Sequence, residues 1–281
     1  GLQGPSCTQA QTAAGPHHAQ TAAGAHSFLF GFVKHGVVRG SHKAALKMIG
    51  QRRNVEKAFE VAVQELAVPT IDSGTSSQVV DEISDDWLNE FESLAAKMST
   101  EKMQNLFGKI LAGEIRKPKS FSVRTITLMA QLDNDAAELF LRLCSMAVAL
   151  KTPSETLDVR VLTLGGSAGQ NDLAKYGLAF NKLTLLEEYG LIISDYNSGV
   201  DYRGCVPSGN TIHACIEHQG VRHVLLPRPE RVGTEVRFPG VALTRAAVEL
   251  FSIVTQVPFP EYTEAMEKYF QQHGFDLGIV P

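Results

Sequence analysis

Between Ser84 and Phe140 the chain carries four helix starts in close succession, and a set of short helices packed on one another is the arrangement that accommodates them. Ser84 precedes Asp85 and Asp86, a capping hydroxyl followed by carboxylates suited to the positive end of a helix dipole. Trp87, Leu88, Phe91, Leu94, Ala95 and Met98 then recur at helical spacing and form one apolar stripe. Ser99 or Thr100 restarts the chain, and Met103, Leu106, Phe107, Ile110 and Leu111 make a second stripe that closes at Gly113. Pro118 forbids continuation. Ser120 or Ser122 is placed to cap a third helix carrying Val123, Ile126 and Met129, and Asp133 opens a fourth with Ala136, Leu139, Phe140 and Leu143 on one face. Residues 79–150 are therefore expected to form a helical core domain, with Trp87, Phe91, Leu106, Phe107 and Ile110 in a core shared by its first two helices.

The same stretch carries a resemblance. DWLNEF, then LFGKILAGEIRKPKSFSVRTI, then LDNDAAELFLRLC are similar to the hallmark of a bacterial domain family of unknown function related to the abortive-infection alpha proteins. In that pattern an LWGKILAGEI helix is followed by a Pro-Gly-Ser-Phe-Ser turn and an RTL helix. The positions that match it are Trp87, Leu106, Gly113, Glu114, Pro118, Ser120, Phe121 and Arg124, while Phe107 stands where the family usually has Trp and Lys119 where it usually has Gly. The resemblance runs from about Arg52 to the C-terminus. It implies a family and carries no catalytic residue over.

Length and composition set wide bounds: 281 residues allow one large or two ordinary domains, and 44% apolar content is enough for real cores. No apolar run reaches the roughly 18 residues of a membrane span, and the first thirty or so residues lack the basic start and apolar core of a secretory signal. Cys7, Cys144, Cys205 and Cys215 show no CxxC pairing, which fits a reducing cytoplasm. Residues 1–27 are low in complexity, with QTAAG at Gln11 repeated at Gln20 and His17 and His18 between them, and are expected to be disordered. The next segment, 28–68, is a basic helical segment. Lys34, Arg39, Lys43, Lys47, Arg52, Arg53 and Lys57 face the single acid Glu56 between residues 34 and 57. Such a segment solvates one helix face, lies on an anionic membrane surface, or touches nucleic acid, and Gly31, Gly36, Gly40 and Gly50 count against one continuous amphipathic helix. Pro69 ends it, and Asp72 to Gln78 reads as a linker.

Beyond Leu150 strands enter. Asp158–Leu164 has strand-like β-branched content, Asn171–Glu188 reads as a helix, and Leu191–Ile193 as a strand before a turn at Asn197–Gly199. This order resembles the third helix and wing of a winged helix. Further strands are expected at Thr211–Glu217, Val221–Leu226 and Glu235–Phe238, then a helix from LTRAAVEL, in which Ala247 takes a position the family usually gives to Gly, then a helix at Tyr262–His273 and a strand at Phe275–Val280. The fold expected is α+β, with the helical domain followed by a winged-helix-like domain of small antiparallel strands over 151–281.

Three constellations could carry chemistry. Gly165-Gly166-Ser167-Ala168-Gly169 matches a nucleophile elbow, but an elbow needs several parallel strands before it and this chain offers helices. Cys205, His213, Cys215 and His218 hold the atoms of a zinc site at an unusual spacing, and ordinary strand residues are the preferred reading. Glu114, Arg116, Lys117, Lys119 and Arg124 cluster at the central turn, where an ion pair between Glu114 and Arg124 is expected. No cofactor, metal or small-molecule substrate emerges. The function expected is a non-catalytic regulatory or interaction protein of a bacterium, tied by the resemblance to phage defence, cytoplasmic or peripheral to the inner membrane, with a protein partner or self-association. Two alternatives stay open: a membrane-acting effector using residues 28–57, and a serine hydrolase through Ser167.

Overall fold

The computed structural model describes the backbone from residue 19 and side chains from residue 41 as far as residue 68, and then residues 82–166, 169–209, 211–229 and 235–280. The chain divides into two units, 1–52 and 53–281. Helix α1 (Ala19–Ala67) supplies the described part of the first. It begins before residue 27, and Gly31, Gly36, Gly40 and Gly50 do not interrupt it. A glycine inside a helix costs about 1 kcal/mol relative to alanine, and that penalty leaves the helix intact when strong helix formers such as Ala44, Ala45, Leu46 and Lys47 stand beside it.

In the second unit the four expected starts are all used. Helices α2 (Asp85–Ala95), α3 (Glu101–Arg116), α4 (Val123–Gln131) and α5 (Asn134–Met146) follow in order. Ser84, Thr100, Ser122 and Asp133 cap them, accepting from the backbone N–H of Trp87, Met103, Thr125 and Ala136. Phe91, Phe107 and Ile110 are fully enclosed and Trp87 nearly so, with Trp87 stacked on Phe91 at 5.2 Å between centroids and Phe91 at 5.6 Å from Phe107. Leu106 is only half-buried. The end of α1 packs closely on α3: a Cβ built on Gly108 would lie 2.5 Å from the Val61 side chain and 2.8 Å from the Ala58 carbonyl, so only glycine fits that crossing.

Helix α5 stops at Met146, and the buried run from Val148 becomes strand β1 (Val148–Lys151), so the last residues of the stretch expected as a helical domain already belong to the sheet. Strand β2 (Thr156–Leu162) comes next. The single helix expected over Asn171–Glu188 is instead a 3-10 turn, Asp172–Tyr176, and helix α6 (Phe180–Glu188), because Gly177 takes a left-handed conformation at φ 86 that ends the first piece. There follow β3 (Ile192–Ile193), β4 (Gly199–Asp201), β5 (Cys215–His218), β6 (Val221–Pro227), β7 (Arg237–Leu243), α7 (Arg245–Phe251), α8 (Pro260–Gln272) and β8 (Phe275–Val280).

The described strands form one sheet in the order β3-β7-β2-β1-β5-β6-β8, with β4 also on β7 and every pairing antiparallel. Strands β3 and β4, expected as the arms of a wing, both pair with β7. The architecture is thus α+β, helices first and an antiparallel sheet after. Its core is continuous, running from Ala58 and Ala62 of α1 through the helices to Phe238, Phe270 and Phe275.

Two polar groups are buried inside this core as braces. Arg160 on β2, 2% exposed, holds Asp158 in a bidentate pair and donates to the Ser198 carbonyl at 2.8 Å, tying β2 to the chain before β4. His218, 3% exposed, donates from Nδ1 to the Ala147 carbonyl at 3.0 Å and sets Nε2 2.9 Å from Thr263 Oγ1. Burial lowers its pKa below the ordinary 6.5, with the Ala147 bond opposing that shift. A histidine held neutral in the fold stabilises it fully above pH 6.5, and that contribution is lost as pH falls from 6.5 toward the lowered native value, where the unfolded chain binds the extra proton. Urea midpoints should therefore fall as pH drops below 6.5, and His218→Gln should flatten that slope; half-buried His223, lowered in the same direction by burial, contributes to the slope that remains.

Candidate functional site: an apolar groove rimmed by lysines

Helix α3 has a wider apolar face than α2 and α1 cover, and the surplus opens a groove. Met103 and Leu106 of α3, Met129 and Leu132 at the end of α4, Phe140 and Leu141 of α5, and Ile253 and Val254 beyond α7 enclose about 510 Å³. That volume falls within the roughly 300–1,000 Å³ of ordinary ligand sites. The half-burial of Leu106, unexplained by the helical stripe, follows from its place in this wall. Met98, Met103 and Met129 contribute flexible, polarisable side chains, which adapt to different occupants.

The rim is cationic. Lys97 lies between α2 and α3, and Lys102 and Lys109 stand two turns apart on α3, about 10 Å along its axis. Among the described residues none of the three has an ion-pair partner. The carboxylate on the opposite wall, Asp133, is already engaged: it accepts from the Ala136 N–H at 2.7 Å and from the Tyr189 hydroxyl at 2.8 Å, and these bonds hold its pKa below the usual carboxylate value.

Apart from Leu106 in the groove wall and Phe107 in the core, the residues of the sequence signature assemble around the α3–α4 turn, and they build the fold. Glu114, 3% exposed, accepts the backbone N–H of Lys119 at 2.6 Å and of Phe121 at 2.9 Å. The expected Glu114–Arg124 pair is absent among the described residues; Arg124 is exposed, and backbone donors of the turn take the carboxylate oxygens instead. Trp87 Nε1 donates to the Phe121 carbonyl at 2.7 Å, the Phe121 ring lies where a Cβ on Gly113 would be, and the Ser120 hydroxyl donates to the Lys117 carbonyl after Pro118. From 127 residues away, Glu249 of α7 accepts from Ser122 N at 2.7 Å and Thr125 Oγ1 at 2.5 Å, a clamp on α4 that no local sequence signal announces. Lys119 sits at φ 71, the left-handed region that glycine enters freely. Lys119→Gly should raise stability by up to about 1 kcal/mol, read as a higher urea midpoint at unchanged slope.

The other candidate residues do not converge. Lys43, Lys47, Arg52 and Arg53 are exposed on α1, whereas the side chains of Lys34 and Arg39 lie outside the described residues. Ser167, with Ala168, also lies outside them; the strand before it, β2, is flanked by antiparallel neighbours, so the parallel scaffold of an elbow is missing. Cys205 is buried, with its thiol pushed up to about 12, and His218 is fixed by Ala147 and Thr263. No group of three His, Cys, Asp or Glu able to hold a metal occurs among the described residues, and no described helix is long and apolar enough to cross a membrane.

One comparison decides the relationship. The family model described as "Protein of unknown function (DUF2806)" matches residues 38–267, most of the chain. The chain belongs to that DUF2806 family. No curated protein and no solved structure matches it. The DUF2806 match takes in every residue of the groove and of the Glu114 turn.

Proposed function

We propose that this DUF2806 protein is a non-catalytic interaction protein that holds a partner segment in the groove between α3, α4 and α5. The observation that carries the reading is the groove itself, an open and mainly apolar site whose wall carboxylate, Asp133, is already engaged by the Ala136 N–H and the Tyr189 hydroxyl. The resemblance of the Trp87–Arg124 signature to relatives of the abortive-infection alpha proteins supports a bacterial protein acting in phage defence. Within this reading the winged-helix-like segment serves for packing: α6 offers Lys182 as its cation and ends in Glu187 and Glu188, a face that duplex phosphates would repel. Complementing a deletion strain tests it. Wild-type protein should restore resistance to phage plating, and Ala137→Trp, which fills the half-buried groove wall, should not, while folding with an unchanged urea midpoint. Full complementation by Ala137→Trp would remove the groove from the function.

A second reading rests on α1. Leu46, Met48 and Ile49 are 56%, 69% and 65% exposed beside Lys43 and Lys47, a combination suited to an anionic lipid surface. Sedimentation with phosphatidylserine vesicles should fall with rising salt and with Lys43→Gln and Lys47→Gln. Equal sedimentation with neutral vesicles would end this reading.

A further inference from the structure

The rim of the groove narrows what it can hold. A ligand with a single carboxylate would meet one lysine, whereas Lys97 before α3 and Lys102 and Lys109, two turns apart on it, call for several spaced negative charges. The floor excludes a nucleic-acid strand, since Met103, Leu106, Leu132, Phe140 and Ile253 offer apolar surface where phosphates and sugars would need polar partners. The groove is also partly open to solvent, so an occupant can bury one face in it and leave the other in water. An amphipathic helix does this, laying side chains at i, i+3, i+4 and i+7 into an apolar groove.

We propose that the occupant is an acidic amphipathic helix of a partner protein, its apolar stripe on the methionine-rich floor and Asp or Glu on its flank against Lys97, Lys102 and Lys109. This rests on the groove reading above and adds the chemistry of the partner. The charges set orientation and selectivity, because rim ion pairs are solvated, and the apolar face supplies most of the affinity. The spacing of Lys102 and Lys109 implies acids separated by about two turns on the partner helix.

The test uses the full chain and three labelled helical peptides that share one apolar stripe and differ only in flanking residues: glutamate, glutamine or lysine. Fluorescence anisotropy should rank them acidic, neutral, basic, with the acidic peptide bound about tenfold more tightly than the neutral one at low salt. The combined Lys97→Gln, Lys102→Gln, Lys109→Gln variant should erase that preference and leave neutral-peptide affinity in place, and Ala137→Trp should abolish binding of all three. If the peptides bind through the groove without an acidic preference, or the preference survives the triple variant, the partner class is wrong while the groove reading stands. If Ala137→Trp binds as well as wild type, or no peptide binds, both fail. Tighter one-to-one binding of dodecanoate than of the acidic peptide, lost in Ala137→Trp, would overturn the helix in favour of a small amphiphile.

Discussion

Phe107→Ala should lower the unfolding free energy by about 3–5 kcal/mol, the cost of removing an enclosed aromatic side chain and leaving a cavity. The ring is fully buried against Phe91, which is itself stacked on Trp87, so the void would open inside the contact that joins α2 to α3. Leu106→Ala, one residue away, should cost clearly less because its side chain faces the groove and is half-exposed already. Phe107→Trp tests the same site from the other side. The larger ring must enter a filled space, and overpacking should cost about 1–3 kcal/mol. Urea denaturation followed by far-UV dichroism reads all three; a Phe107→Ala loss no larger than that of Leu106→Ala would contradict this packing.

Glu114→Ala should cost about 2–4 kcal/mol, because the buried N–H of Phe121 and the part-buried N–H of Lys119 both lose their carboxylate acceptor. Glu114→Gln keeps one acceptor oxygen and turns an amide N–H₂ toward the other donor, so its loss should fall between wild type and Glu114→Ala. Trp87→Phe removes the donor to the Phe121 carbonyl on the same turn and should couple to Glu114 in a double-mutant cycle. Glu138→Ala, at an exposed position within α5, serves as the control and should stay within about 0.5 kcal/mol. Additive losses for Trp87→Phe and Glu114→Gln would mean that the turn is not one cooperative clasp.

The helical half was legible because its signals are local. Ser84, Ser122 and Asp133 stand next to the N–H groups that they cap, and the stripes of α2 to α5 repeat at the period of the helix, so position in sequence translates directly into position on a face. The same locality explains the errors. Gly31, Gly36, Gly40 and Gly50 lower helix propensity residue by residue, but they do not decide whether a long helix forms. Gly177 splits a run that reads as one helix because its left-handed backbone ends the 3-10 turn at that point. The ion pair expected between Glu114 and Arg124 satisfied charge alone, whereas the folded turn presented two backbone donors that needed an acceptor more.

What the sequence by itself determined is the mixed α+β class of fold, the caps, the core between α2 and α3, and membership of a domain family of unknown function. Only the tertiary structure decided the rest. Glu249 reaches the start of α4 from α7, β3 and β4 both pair with β7, and the groove takes its walls from α3, α4, α5 and the segment after α7. Each of these joins residues far apart in the chain. Their contacts depend on how separate elements meet, and neither periodicity nor spacing within one element carries that information.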